Sequence, residues 1–268
     1  MERIFTPSKP IKDVRGLANG LIPTSAPLLR EAFDRPSGDL LIFEDFRNGF
    51  SCGEIDGATG ATTGEIGSHP WRMTVVDGDG DDDHALYVTD LGELRVLVNN
   101  KDNDECAIQW CYEPLTGHGR WACEAKLKLD VAATAALFFG FHNYKAAGTI
   151  AQTSGLGGAV SGFHMANGVA AVDIVATSDN GTSTTTDTGT DFADDTYVTL
   201  SLFHDNKDGT KFYVNGTLAA THTPSQAELG TGDAAPTLAV ASATGAVTNC
   251  LVDYMAFWVE DAPGLDSN

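Results

Sequence analysis

Oxygen-rich loops are the first places in this 268-residue chain where side chains could do chemistry. The run Asp77-Gly-Asp-Gly-Asp-Asp-Asp83 offers carboxylates at Asp77, Asp79 and Asp81, the hard oxygen donors that calcium accepts. An EF-hand is excluded by count: with Asp77 at position 1, Val88 falls at position 12, where a bidentate Glu is required. Calcium at this loop is therefore the one cofactor the sequence raises. It stands against a default of no cofactor and an acidic loop held open by repulsion. Cys106, Cys111, His118 and Cys123 bring together three thiols and an imidazole. Cys106 and Cys111 share a strand-like run at an odd separation, however, which points them to opposite faces and argues against a shared zinc ion. Asp205-Asn-Lys-Asp-Gly209 has the composition that turn formation alone selects. No Ser/His/Asp order and no phosphate-cradling glycine loop stands out.

The elements that would have to position such groups are strands. Tyr197, Thr199, Ser201 and Phe203 alternate with Val198, Leu200, Leu202 and His204, the two-residue period of a strand with two different faces. Residues 211–220 fold back through Asn215-Gly216, the dipeptide suited to a type I′ hairpin turn. Strand-forming runs are read at 40–47, 84–89, 93–99, 106–113, 120–130, 135–143, 162–166, 169–177, 197–204, 211–215, 217–222, 238–242 and 250–260. Short runs separated by Gly, Asp and Asn clusters predict an all-β sandwich. The threonine-rich stretch 181–191 is compatible with either a loop or a polar edge strand.

The first 36 residues differ in character. Pro7, Pro10, Pro23, Pro27 and Pro36 exclude a strand or a long helix there, although 26–33 can form two helical turns. Yet Ile4, Phe5, Ile11, Val14, Leu17, Leu21, Ile22, Leu28, Leu29 and Phe33 are too many apolar residues for a solvated tail. The segment reads as an extended N-terminal arm that binds along another surface. Three regions follow: the arm at 1–36, a sandwich at 37–261 and a flexible tail at 262–268. The formal net charge is -21, with six basic and four acidic residues in the arm and ten basic against thirty-three acidic beyond it. Such a surface disfavours nucleic acid and anionic membranes as partners. The chain opens without the basic and apolar regions of a secretory signal, and five irregularly spaced cysteines argue against a disulfide scaffold.

One order of elements carries a resemblance. A strand, the Asp205-Asn-Lys-Asp-Gly209 turn, Phe212-Tyr-Val-Asn-Gly216, another strand and Val252-Asp-Tyr-Met-Ala-Phe-Trp258 together resemble the concanavalin-like, laminin-G-like jelly rolls of lectins and glucanases. Residues 119–130 and 135–142 are similar to that fold's paired core strands. The resemblance implies a concanavalin-like jelly-roll β-sandwich over residues 37–261. Glu54-Ile-Asp56 resembles the start of the Glu-x-Asp-x-x-Glu signature of the glucanases, but Thr59 stands where the second Glu belongs. Retaining hydrolysis needs two carboxyls about 5–5.5 Å apart, so no enzymatic activity is expected.

Absence of an active site, an acidic surface and an apolar arm are together similar to bacteriophage head decoration (cement) proteins. That resemblance implies a virion structural protein, made in the host cytoplasm and placed on the capsid surface. Its partners would be the major capsid protein or neighbouring copies of itself, gripped by the arm. The alternative is a carbohydrate-binding, lectin-like module for a surface glycan. Such a site needs an aromatic platform, for which Trp71, Trp110, Trp121 and Tyr144 qualify by residue type.

Overall fold

Two antiparallel sheets face each other in the computed structural model, which describes residues 40–46, 53–55, 60–66, 69–76, 84–98, 104–110, 120–143, 150–151, 159–165, 173–180, 182–205, 207–224, 234–242 and 246–259. The strands are β1 (Leu40–Glu44), β2 (Gly53–Ile55), β3 (Gly60–Ile66), β4 (His69–Val76), β5 (His84–Val88) and β6 (Leu94–Val98). Then come β7 (Glu105–Trp110), β8 (Trp121–Leu129), β9 (Ala135–Asn143), β10 (Ala159–Met165), β11 (Asp173–Asn180) and β12 (Ser183–Asp191). The last are β13 (Val198–Asp205), β14 (Gly209–Val214), β15 (Thr217–His222), β16 (Ala234–Ser242) and β17 (Thr248–Val259). A single 3₁₀ turn, Ala132–Thr134, links β8 to β9. Among the described residues no helix is long and apolar enough to cross a membrane.

Sheet A runs β15-β14-β13-β8-β17-β6-β5-β2, and β1 joins it along the final part of β17. Sheet B runs β12-β11-β10-β9-β16-β7-β4-β3. β17 is long enough to hold β6 beside Thr248–Val252 and β1 beside Met255–Val259. Alternation decides which side chains enter the space between the sheets. In β13, Val198, Leu200, Leu202 and His204 are buried there, while Thr199, Ser201 and Phe203 turn outward, as the two-residue period requires. Phe257 lies at the centre of the aromatic packing, with ring centroids 6.0 Å from Trp71, 5.4 Å from Phe139 and 5.6 Å from Phe141. At the open edge His222 joins the sheets. Its Nδ1 lies 2.9 Å from Ser178 Oγ and its Nε2 lies 3.1 Å from Thr186 Oγ1.

The hairpin read at Asn215-Gly216 is present, with φ of 51° and 75°, as a type I′ turn demands. Its Asn215 side chain accepts the Thr199 amide at 2.9 Å, which ties the turn to the start of β13. The stretch 181–191 contains edge strand β12, one of the two alternatives left open by its threonines. The segment 53–76 is a correction, because its glycines concealed three strands. β3 has no large apolar alternation, whereas β4 sends Trp71, Met73 and Val75 inward. β16 also begins earlier than read, since its first residues, Ala234-Ala-Pro-Thr, lack both bulk and alternation although all are buried.

Candidate functional site

The outer face of sheet A is the candidate site. Its layout begins with a β-bulge in β17: the register against β8 shifts between Val252 and Tyr254, so Asp253 is the extra residue. Two consecutive side chains are thereby delivered to the same face, which a regular strand cannot do. Asp253 Oδ2 meets Lys126 Nζ at 2.6 Å, and the Tyr254 hydroxyl donates to Glu124 Oε1 at 2.7 Å. Ser201 Oγ donates to the other Glu124 oxygen, also at 2.7 Å. Glu124 is fully buried, and burial pushes its carboxyl above the ordinary range against the opposing pull of the two hydroxyls. Tyr254 is pushed upward by its own burial and by the Glu124 charge, so its hydroxyl stays a donor.

Around this pair the face is set with aromatic rings. Tyr87 in β5, Tyr197 just before β13, Phe203 in β13 and Tyr213 in β14 are half-buried, and all four turn outward by register or alternation. Among the residues whose side-chain burial is described these are all the half-buried aromatic side chains, and none lies on sheet B. Lys126 and Lys128 place their Nζ atoms 4.8 and 5.0 Å from the Tyr197 ring centroid. The Tyr197 hydroxyl donates to Glu93 Oε1; burial and that carboxylate raise its pKa and keep the ring neutral. Phe203 lies parallel to Trp258 across Ala122, with centroids 6.4 Å apart and planes within 6°. Half-buried rings beside carboxylates and ammonium groups are side chains of the kind that recognition of a sugar's apolar C–H face and hydroxyl rim uses.

Sheet B treats its outer face differently. Ala107, Ala136, Phe138, Val160, Ala239 and Ala241 turn outward there and pack with Ile150 and Ala151 into a second apolar cluster. Glu105 anchors this cover: Oε1 and Oε2 accept the backbone amides of Ile150 and Ala151 at 2.5 and 2.8 Å. His164 Nε2 donates to the Ala151 carbonyl at 2.9 Å, and burial lowers the ring's pKa so that it stays neutral. Gly140 and Gly162 face each other in β9 and β10, where a side chain has no space. A Cβ on Gly140, at φ 150°, would fall 2.4 Å from the Ser161 oxygen, and one on Gly162 would fall 2.8 Å from the Phe138 ring.

Trp71, Trp110 and Trp121 retain 0, 5 and 2% exposure and belong to the core between the sheets. The tryptophan platform expected of them is therefore corrected: the aromatic surface is built from tyrosines and Phe203. Alternation could have found it, since Tyr197 and Phe203 share a face with Thr199 and Ser201 in the sequence itself. Tyr144, the loop residues Asp77, Asp79 and Asp81, and the arm residues from Ile4 to Phe33 lie outside the described residues. Glu54 sits in β2 at the edge of sheet A, opposite Ala85, and position 59 lies outside the described residues. Cys106, Cys123 and Cys250 are buried free thiols, on three different strands. Among the described residues no three His, Cys, Asp or Glu side chains are grouped to hold a metal ion.

No family model matches the chain, and no curated protein matches it. Solved structures do. LamA from Z. galactanivorans, in complex with laminaritriose and laminaritetraose, aligns over 83% of this chain and 99% of its own, with a TM-score of 0.53 at 12% identity. The carbohydrate recognition domain of Emp47p aligns over 78% of this chain and 97% of its own, with a TM-score of 0.50 at 10% identity. The binding domain of botulinum neurotoxin DC, in complex with SialylT, reaches a TM-score of 0.51 at 7% identity over 83% of this chain. That alignment covers 48% of the toxin chain, so this protein spans about half the length of that one. At such identities the likeness establishes the fold, a concanavalin-like jelly-roll β-sandwich.

Proposed function

We propose that the protein is a non-catalytic, lectin-like module that binds carbohydrate on the outer face of sheet A. One observation carries this reading: all the half-buried aromatic rings among the residues whose side-chain burial is described, Tyr87, Tyr197, Phe203 and Tyr213, lie on that face. The carbohydrate ligands or recognition role named for LamA, Emp47p and the toxin domain are consistent with it. Catalysis is not part of the reading. Glu124 is fully buried with each oxygen already accepting a hydroxyl, and Asp253 is held by Lys126, so neither stands ready beside a glycosidic bond.

A glycan array followed by titration calorimetry tests the reading. Tyr197→Ala and Phe203→Ala should each weaken binding about tenfold, the loss of one ring contact of roughly 1.4 kcal/mol, with little change in Tm. Absence of any glycan ligand at millimolar concentration, or binding indifferent to both substitutions, overturns it.

A second proposal is capsid attachment through the arm. It rests on the composition of residues 1–36, whose ten large apolar side chains from Ile4 to Phe33 are more than a solvated tail carries. A fixed, high ratio to the major capsid protein in gradient-purified particles supports that role, and absence from particles removes it.

A further inference from the structure

One cross-strand row of sheet A's outer face differs from its neighbours. In register, Tyr87 stands beside Arg95, Arg95 beside Leu251 and Leu251 beside Lys128. Tyr197 closes the row against Lys128. The order is aromatic, cation, aliphatic, cation, aromatic. Neighbouring strands lie about 4.8 Å apart, which sets the backbones of Arg95 and Lys128 roughly 10 Å from each other across Leu251, with each charged end beside the ring at its own end of the row.

Both cations are held by neutral groups. Arg95 Nε donates to Asn249 Oδ1 at 2.7 Å and Nη1 donates to the Tyr87 hydroxyl, while the guanidinium carbon lies 5.4 Å from the Tyr87 ring centroid. Lys128 has the Tyr197 ring. Among the described residues neither cation is bridged to a carboxylate, unlike Lys126, which is paired with Asp253. The acidic groups nearby are engaged elsewhere. Asp130 accepts both the Asn249 amide nitrogen and its Nδ2, and Glu93 accepts the Tyr197 hydroxyl. In a chain of net charge -21, carboxylates abound, yet these two half-buried cations are held without one, which leaves each able to pair with an anion from outside.

We propose that this row selects an acidic carbohydrate, its carboxylate-bearing sugar residues spanning Arg95 and Lys128 above Leu251, with the Tyr87 and Tyr197 rings at either end. The proposal rests on the carbohydrate reading of the face and names the ligand class. Spacing supports it, because cations on strands roughly 10 Å apart, each held against an outer ring, suit successive residues of an acidic oligosaccharide better than one small anion. Fixed cations also give a ligand of opposite charge an on-rate advantage that salt removes.

The test is calorimetry of the full chain with three probes: oligogalacturonate, the neutral laminaritetraose, and polyglutamate as a charged polymer without sugar. Oligogalacturonate should bind at least tenfold more tightly than either of the others. Its affinity should fall as sodium chloride rises from about 50 to 500 mM. Lys128→Met and Arg95→Met should each reduce that affinity at least tenfold, with Lys207→Met, in the exposed turn between β13 and β14, as a neutral control. Equal or better binding of laminaritetraose, unaffected by Lys128→Met, overturns the acidic ligand and leaves the carbohydrate reading standing. Equal binding of polyglutamate reduces the row to a charge effect and overturns the proposal. Failure of every sugar to bind overturns both readings.

Discussion

On sheet B the outward side chains of the central strands include alanines, a facing glycine pair, Phe138, Val160 and His164, and Ile150 and Ala151 pack with them. On sheet A the outward positions divide: Ala122, Glu124, Tyr254, Ala256 and Trp258 on β8 and β17 are buried, whereas Tyr87, Arg95, Lys126, Lys128, Phe203 and Tyr213 beside them are half in water. The same inward pattern builds one shared core, so the difference resides entirely in the alternate, outward residues. Small side chains let a loop segment approach a sheet, and a buried carboxylate then has to receive the loop's amides, the role of Glu105. Large amphipathic side chains instead keep their polar ends in water while their apolar bodies pack against the sheet. Sheet B therefore buries the centre of its outer face under its own chain, whereas sheet A leaves a set of large outward side chains half in water.

The largest expected effect comes from removing the anchor on the covered face. Glu105→Ala leaves the Ile150 and Ala151 amides without their acceptor in a buried cluster and should cost about 3 kcal/mol. Lys128→Met on the open face should stay within about 0.5 kcal/mol. Urea unfolding of the two variants measures the contrast directly. Equal losses would mean that the faces do not differ in the way their burial indicates.

A second effect is smaller and depends on pH. Burial holds the His164 pKa below the ordinary value of about 6.5, so the native state binds fewer protons than the unfolded chain. The stability from neutral His164 is fully present above that ordinary value and is lost as pH falls through it toward the folded pKa. His164→Gln retains an amide that can donate to the Ala151 carbonyl but has nothing to titrate. Its Tm should drop less between pH 7 and pH 5 than that of the unchanged protein. His222, also lowered by burial, titrates in both proteins and so cancels from the difference. An identical drop would place His164 outside the cover's energetics.

Much of this contrast was readable from alternation, and the parts that were not have physical causes. The faces of β13 follow directly from Tyr197 to His204, and the Asn215-Gly216 turn from the positive φ that only a few residues accept. Tryptophans mislead as surface candidates because their size makes them equally good core residues, which is where Trp71, Trp110 and Trp121 are placed. The cover on sheet B is invisible locally. Glu105 reaches backbone 45 and 46 positions away, and nothing near Glu105 in the chain marks it as a buried acceptor. The Asp253 bulge is equally hidden, since Val252-Asp-Tyr-Met reads as uninterrupted strand until its partner β8 is known.

Glu124 gives the smallest and most discriminating prediction, because it is the buried carboxylate of the open face. Burial raises its folded pKa above the unfolded value of about 4.3, so the native state holds the proton more tightly than the unfolded chain. The sign is therefore opposite to that of a salt-bridged acid: stability declines as pH rises from the unfolded value through the folded one, and the cost of the buried charge persists above it. Glu124→Gln preserves an acceptor for the Tyr254 hydroxyl and a partner for Ser201 Oγ while removing the charge. Its Tm, relative to the unchanged protein, should be higher at pH 7 than at pH 4. Affinity for sugar decides what the carboxylate is for. A buried Glu124 that only props up Tyr254 and Ser201 leaves affinity unchanged in the glutamine variant, and binding then belongs to the half-buried rings and cations. A loss of tenfold or more would instead bring Glu124 into contact with the ligand, and the open face would have to admit sugar below its aromatic rim.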